Sequence, residues 1–315
     1  MRIVAILRKS YLGLLISLSL IFPSWAWANP ARNAQVKNLE LYFSQILNVD
    51  EFRNHKNTAE LNRVSGWLKE QMRHFGIPCQ FQSYIVNSQG YRNLVCQLNV
   101  KAKDKIVIGA HYDVFANHLG ANNNASGVVG VVEAARLLAL QKNKLKNNIE
   151  FVFYGLEEPP YLNTEHMGSA IHAKALRKQK QKIRGVFVLD SIGYYDENLV
   201  QSYPATLKWF YPRHANYIAS IGHLSSVGLT GRFCEAMQTR QRLECERFII
   251  PTFMQGLDYS GYLSYAKQNF PTVLISDTAH YRYPYYNTEQ DTLDKLDLKK
   301  MTYVVDGLMQ TALSP

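Results

Sequence analysis

His111 ends the run "KIVIGAH", and Asp113 follows two residues later. Glu157 and Glu158 come directly after "IEFVFYGL", Asp190 ends "GVFVLD", and Asp277 ends "PTVLISD". Imidazole is the commonest zinc ligand among side chains. A carboxylate beside it can accept from the other ring nitrogen and fix the tautomer, a role open to Asp113. Glu158 and Asp190 supply anionic oxygens. Glu157, next to a ligand but turned elsewhere, can take a proton from a bound water. Together these are parts for metal-assisted hydrolysis. Each residue alone has a plain structural role, as a satisfied histidine or a solvated glutamate. Their joint placement at strand ends is the signal.

The elements that must position them alternate along the chain. "KIVIGAH", "IEFVFYG", "GVFVLD" and "PTVLISD" read as short apolar strands. Between them, "SGVVGVVEAARLLAL" (126–140) has a period near 3.6 and is too long for a buried strand. Asn124 and Ser126 are both residue types that cap a helix start. "MGSAIHAKALRK" reads as a helix, and Leu298 to Leu313 as a closing helix. Residues 34–48 and 57–75 show helical spacing, with Leu61, Val64, Trp67, Leu68 and Met72 on one face. Apolar strands alternating with helices predict an α/β fold: a mainly parallel sheet covered on both faces. Function in such sheets collects at the carboxyl ends of the strands. With no Pro-, Gly- or Ser-rich linker, residues 29–315 are expected to form one domain.

The first 28 residues are a separate matter. Arg2, Arg8 and Lys9 precede the apolar run Tyr11 to Phe22, and "AWA" (26–28) places small residues where a signal peptidase reads. This predicts a cleaved secretory signal and a protein exported to the periplasm or beyond. No later stretch is apolar enough to cross a bilayer. Losing those three cations takes the formal charge from +10 to +7. The densest basic run, Lys174 to Arg184, lacks interleaved aromatics, which argues against nucleic-acid binding. All four cysteines follow the signal. Cys79 and Cys96 flank two strand-like runs around turn residues Asn87 to Gly90, so a hairpin would bring them together as a disulfide. Cys234 and Cys245 can close a second, short loop.

The order His-x-Asp, Gly-Ala-x-x-Asn-Ala-Ser-Gly, Glu-Glu, a strand-end Asp, then a Tyr- and His-containing loop before Asp-Thr resembles metallopeptidase family twenty-eight. "GLEEPPYLNTEHMGSAIHA" and "DTAHYRYPYYNTEQDTLDKLD" carry the likeness most strongly, and it runs from about residue 57 to 310. The resemblance implies a phosphorylase/hydrolase-like fold with a central mixed sheet, and zinc aminopeptidase activity on peptides, with glutaminyl cyclases as relatives. It implies His111 as a zinc ligand supported by Asp113, Glu157 as general base, and Glu158 and Asp190 as further ligands. The carboxylate that bridges the two ions would fall at Asn123, and the last histidine ligand at Asn287. A further Asp-His pair would fall at Gly261 and Tyr262.

Two ions roughly 3.5–4 Å apart repel strongly and need a shared anion. An asparagine carbonyl brings no charge and suits harder ions than zinc. One ion would keep His111 and Asp190, the other only Glu158, whereas a catalytic zinc normally has three protein ligands. Zinc is therefore expected as one ion or none. His118 and His280 are the histidines near enough in sequence to compensate. The tyrosines of "HYRYPYYN" can wall a substrate pocket or pack on each other. Two readings follow: a secreted aminopeptidase-like hydrolase working weakly or with one metal, and an inactive relative that binds peptide ends or a partner. Glutaminyl cyclisation fares worse, because its zinc ligands would correspond to Asn123, Glu158 and Asn287. No Gly-x-Ser-x-Gly elbow, Walker loop or His-Glu-x-x-His supports another class.

Overall fold

The computed structural model describes residues 32–203, 212–239, 243–250 and 261–314. The expected signal, 1–28, lies outside them. Helix α1 (Val36–Ile46) buries Leu39, Tyr42, Phe43 and Ile46, a stripe at helical spacing. Helix α2 (Thr58–His74) starts where Asn57 Oδ1 accepts from the Glu60 N–H at 3.1 Å, and it buries Leu61, Val64, Leu68 and Met72. Trp67 is partly buried against the same core.

Strands β1 (Cys79–Val86) and β2 (Gln89–Leu98) form the expected hairpin. Its turn is tighter than the sequence implied. Asn87 and Ser88 alone make it, both with positive φ (47° and 64°), and Val86 faces Gln89. Positive φ at both central residues gives the turn the twist a two-residue hairpin needs. Cys79 stands opposite Cys96, and their sulfurs are bonded. Cys234 and Cys245 are bonded likewise.

The sheet continues with β3 (Lys105–His111), β4 (Asn148–Tyr154) and β5 (Ile183–Leu189). β6 (Asp196–Val200) and β7 (His214–Ala215) make a separate ribbon. β8 (Tyr217–Gly222), β9 (Glu244–Ile249) and β10 (Thr272–Ser276) complete the main sheet, whose order is β1-β2-β4-β3-β5-β10-β8-β9. The central strands β4, β3, β5 and β10 run parallel, so their carboxyl ends share one edge. Antiparallel pairing at β1–β2, β2–β4 and β10–β8 makes the sheet mixed.

Helix α3 (Gly127–Leu140) packs on β3 and β5. Of its two expected caps, Asn124 acts: its Oδ1 accepts from the Gly127 N–H at 3.1 Å. Ser126 does not. Its hydroxyl donates to the Asn122 carbonyl (2.7 Å) and accepts from Ile192 N–H (3.0 Å), which ties the helix start to the end of β5. Helices α4 (Gly168–Lys178), α5 (Val227–Gln238), α6 (Tyr262–Ala266) and α7 (Leu298–Leu313) follow. One core joins α1, α2, α3, α5 and α7 to a face of the sheet. A second core puts Ala173 and Leu176 of α4, and Tyr262 and Tyr265 of α6, against the other face. The described residues from Arg32 onward form one compact unit. Among the described residues no helix is long and apolar enough to cross a membrane.

Beneath α4 lies a buried polar chain. Glu150 on β4 accepts from Lys105 Nζ at 2.7 Å and Gln97 Nε2 at 3.1 Å, and its other oxygen lies 3.3 Å from His172 Nε2. His172 Nδ1 meets the Tyr265 hydroxyl at 2.7 Å, which meets the Tyr154 hydroxyl at 2.7 Å.

Candidate active site

The parallel strand ends bring His111, Glu157, Glu158 and Asp190 to one cavity. His111 is buried. Its Nδ1 lies 3.1 Å from the Asp113 carbonyl oxygen and 3.4 Å from Asp113 Oδ1. The expected carboxylate contact is therefore shared with the backbone. Asp113 has a second task the sequence did not announce, since its Oδ2 accepts from the Glu158 N–H at 3.0 Å. His111 Nε2 faces Asp190 Oδ1 at 3.9 Å. Burial works against a charged imidazole here, but the bonds to Asp113 and Asp190 prevail and hold His111 well above its ordinary pKa.

The loop Ala121–Ser126 shapes the rest. It begins at Gly120, where φ is +59° and a Cβ would lie 2.3 Å from the Asn123 carbonyl oxygen, so glycine is required. Buried Arg53 donates to the carbonyls of Leu119 (2.5 Å) and Gly120 (2.8 Å). Asp291 accepts from the N–H groups of Asn122 (2.7 Å) and Asn123 (3.0 Å) and from the Tyr283 hydroxyl (3.0 Å). The three asparagines then divide the work. Asn122 Nδ2 donates to Asp277 at 2.8 Å, and its Oδ1 accepts from Gly193 N–H at 2.9 Å. Asn124 Nδ2 donates to the Leu189 carbonyl at 2.9 Å, and its Oδ1 also accepts from Ser191 N–H at 3.0 Å. Asp277, a strand-end acid, is thus a structural acceptor. Burial pushes its pKa to about 6.

Asn123 is buried against two residues of the cavity lining. Its Nδ2 donates to Glu158 Oε1 at 2.7 Å and to Asn287 Oδ1 at 2.8 Å. Its Oδ1 is buried with no hydrogen-bond partner among the described residues. An N–H donor cannot coordinate a cation, so this geometry points protons at the place where Glu158 and residue 287 would share an ion. His111 and Asp190 remain as two strong ligands, fewer than a catalytic zinc takes. No three His, Cys, Asp or Glu side chains among the described residues converge as a metal site. Asn123 and Asn287 are neutral amides in contact with each other at this place.

Glu157 is held by the start of α4. Its Oε1 accepts from Ser169 N–H at 2.7 Å, its Oε2 from Ser169 Oγ at 2.9 Å, and Ser264 Oγ lies 2.8 Å from Ser169 Oγ. Burial raises Glu157 to about 8 against the pull of the Ser169 N–H, and burial raises Glu158 to about 7. Gly261 leaves the space this carboxylate uses, for a Cβ there would lie 2.5 Å from Glu157 Oε2. Tyr262 is not part of the cavity lining and stacks on His223 at 5.8 Å.

The cavity has a volume near 290 Å³. Besides the acids and His111 it is lined by Pro159, Leu162, Tyr286 and His280. His280, one of two histidines expected to compensate, is therefore present. Its ring packs 4.1 Å from Tyr281 and 5.7 Å from Tyr286, and burial lowers its pKa. His118 is a correction. It packs against Phe115 at 5.8 Å and does not line the cavity. Among the loop tyrosines Tyr286 forms the wall, whereas buried Tyr283 supports Asp291.

Sequence reasoning missed Arg53, Ser169, the tasks of Asn122 and, beyond its capping, the bonds of Asn124 to Leu189 and Ser191. Only Asp291 had a signal, as the acid of the "DT" pair after the tyrosine loop.

With fold and site in view, the class is that of an α/β protein whose mixed sheet carries a cavity at the shared carboxyl ends of its parallel strands. The model of Peptidase family M28 matches residues 93–312, and this chain belongs to that family of peptidase-like hydrolases. The chain is 32% identical over 307 residues to the uncharacterized protein YfbL of Escherichia coli, with 94% of each chain covered. In structure it resembles the LapA aminopeptidase of Legionella pneumophila, with a TM-score of 0.70 and 18% identity over 88% of this chain and 71% of that one. It also resembles Porphyromonas gingivalis glutaminyl cyclase, with a TM-score of 0.68 and 17% identity over 88% of this chain and 97% of that one. At such identities these likenesses speak for the fold.

Proposed function

We propose that this chain is an exported M28 relative that captures the free amino terminus of a peptide without paired-ion hydrolysis. The observation that carries the reading is the Asn123 amide, which donates to Glu158 and Asn287 where a bridging anion would be needed. The cavity still has acidic walls in Asp190 and Glu158, which suit an ammonium group able to draw off the Glu158 proton, and apolar walls in Leu162, Pro159 and Tyr286, which suit the terminal side chain. The test is calorimetric titration with leucinamide and N-acetyl-leucinamide in chelator, alongside an aminoacyl-nitroanilide panel. The free amine should bind on the order of tenfold or more tighter than its acetylated form, with no turnover. Equal binding of the two would end the reading.

A second reading, hydrolysis with one ion, has its own observation. Ligands about 2.1 Å from a tetrahedral ion stand about 3.4 Å apart, and His111 Nε2 and Asp190 Oδ1 are 3.9 Å apart. Turnover that rises to saturation with one equivalent of zinc would favour it over the first.

Export is supported by the basic-apolar-small pattern of residues 1–28 and by two bonded cysteine pairs, which persist in oxidising compartments. The mature protein should begin at Asn29. Amino-terminal sequencing of protein from the exported fraction checks this, and an intact Met1 in that fraction would count against cleavage.

A further inference from the structure

We infer that the Asn123 carboxamide takes over the place of a metal ion as the electropositive centre of the site, so that the site is assembled without metal. A primary amide nitrogen carries two N–H bonds. Here one reaches Glu158 Oε1 and the other Asn287 Oδ1, at 2.7 and 2.8 Å. The opposite placement of amide nitrogen and oxygen would set a carbonyl against a carboxylate oxygen, so the hydrogen-bond network fixes the orientation.

The two amides at the expected ligand positions therefore form one unit. An aspartate at 123 would put a second carboxylate oxygen within 2.7 Å of Glu158, a contact that needs a cation or a shared proton. Asn123 removes that need and brings its own protons. Asn287 supplies an acceptor for the second of them. The backbone carrying Asn123 is secured separately, by Asp291 on two N–H groups and by Arg53 on two carbonyls, none of which involves an ion. This holds whether or not peptide termini are the ligand.

The experiment is zinc content by mass spectrometry after dialysis against zinc, with melting temperatures in chelator and in zinc. It compares wild type, Asn123→Asp, Asn123→Ala and the double change Asn123→Asp with Asn287→His. Wild type should retain less than about a tenth of an equivalent of zinc and melt alike in both buffers. In chelator, Asn123→Asp should melt roughly 5–10 °C lower, and Asn123→Ala should melt lower too without responding to zinc. The double variant should take up zinc and melt several degrees higher with it. Wild type that holds near-stoichiometric zinc and loses stability in chelator would overturn the inference. So would Asn123→Asp melting in chelator as wild type does. If the double variant does not fold, the wild-type and single-variant arms still decide.

Discussion

Glu150→Ala is expected to lower stability by about 3–5 kcal/mol, the cost of leaving the partly buried Lys105 ammonium, Gln97 and His172 without their shared acceptor. That is roughly a 6–15 °C drop in melting temperature for a chain of this size. Glu150 is buried on β4 and receives Lys105, Gln97 and His172. Burial alone would raise its pKa, but His172 and Lys105 together depress it from 4.5 to about 2. The sign of the pH dependence follows. Between about pH 2 and 4.5 the unfolded chain binds more protons at this residue than the folded chain. The contribution is therefore complete above about pH 4.5 and is lost as pH falls toward 2. A shift of this size is on the order of 3 kcal/mol. Urea melts at pH 7, 4 and 3 read the effect. Wild type should lose stability over that range, and Glu150→Gln, with nothing to titrate, should lose less. Parallel curves for the two proteins would show that the pairing does not stabilise the fold. Tyr265 of α6 bonds to His172, so the network also ties α6, which carries Ser264, to the sheet.

Asp291→Ala should be similarly costly, at about 3–5 kcal/mol, because it strands two buried N–H groups and a buried hydroxyl at about 1–3 kcal/mol each. Partial relaxation keeps the total below the sum. The loss should also reach the cavity. Without Asp291 the N–H groups of Asn122 and Asn123 lose their acceptors, and Asn123 drifts from Glu158. Denaturant melts together with the leucinamide titration measure both effects. Asp291→Asn, which keeps one carbonyl acceptor, should retain more stability than Asp291→Ala. A cost below about 1 kcal/mol for the alanine variant would mean the loop is fixed by Arg53 and its own turns alone.

Much of this protein is legible locally. Leu39, Tyr42, Phe43 and Ile46 fall on one face because a helix repeats every 3.6 residues, and Leu298–Leu313 reads as the helix it forms. Strand β3 is apolar because it is buried on both faces, so it ends visibly at His111. The α3 boundary was less legible: Ser126 has capping chemistry, yet its hydroxyl is engaged by Asn122 and Ile192. Nothing near Ser126 in sequence indicates that Ile192 will arrive.

What the sequence by itself determined was the order of helices and strands, the hairpin at Cys79–Cys96, and the delivery of His111, Glu157, Glu158 and Asp190 to strand ends that share an edge. Those follow from periodicity and turn chemistry, which act over a few residues. Only the tertiary structure decided that Asn123 donates to Glu158 and to Asn287, 35 and 164 residues away, and that Asp291 secures it from 168 residues away. It likewise brought His280 into the cavity and kept His118 out. The physical reason is that a side-chain amide has both donors and an acceptor, and which of them it uses depends on partners that distant parts of the chain bring to it.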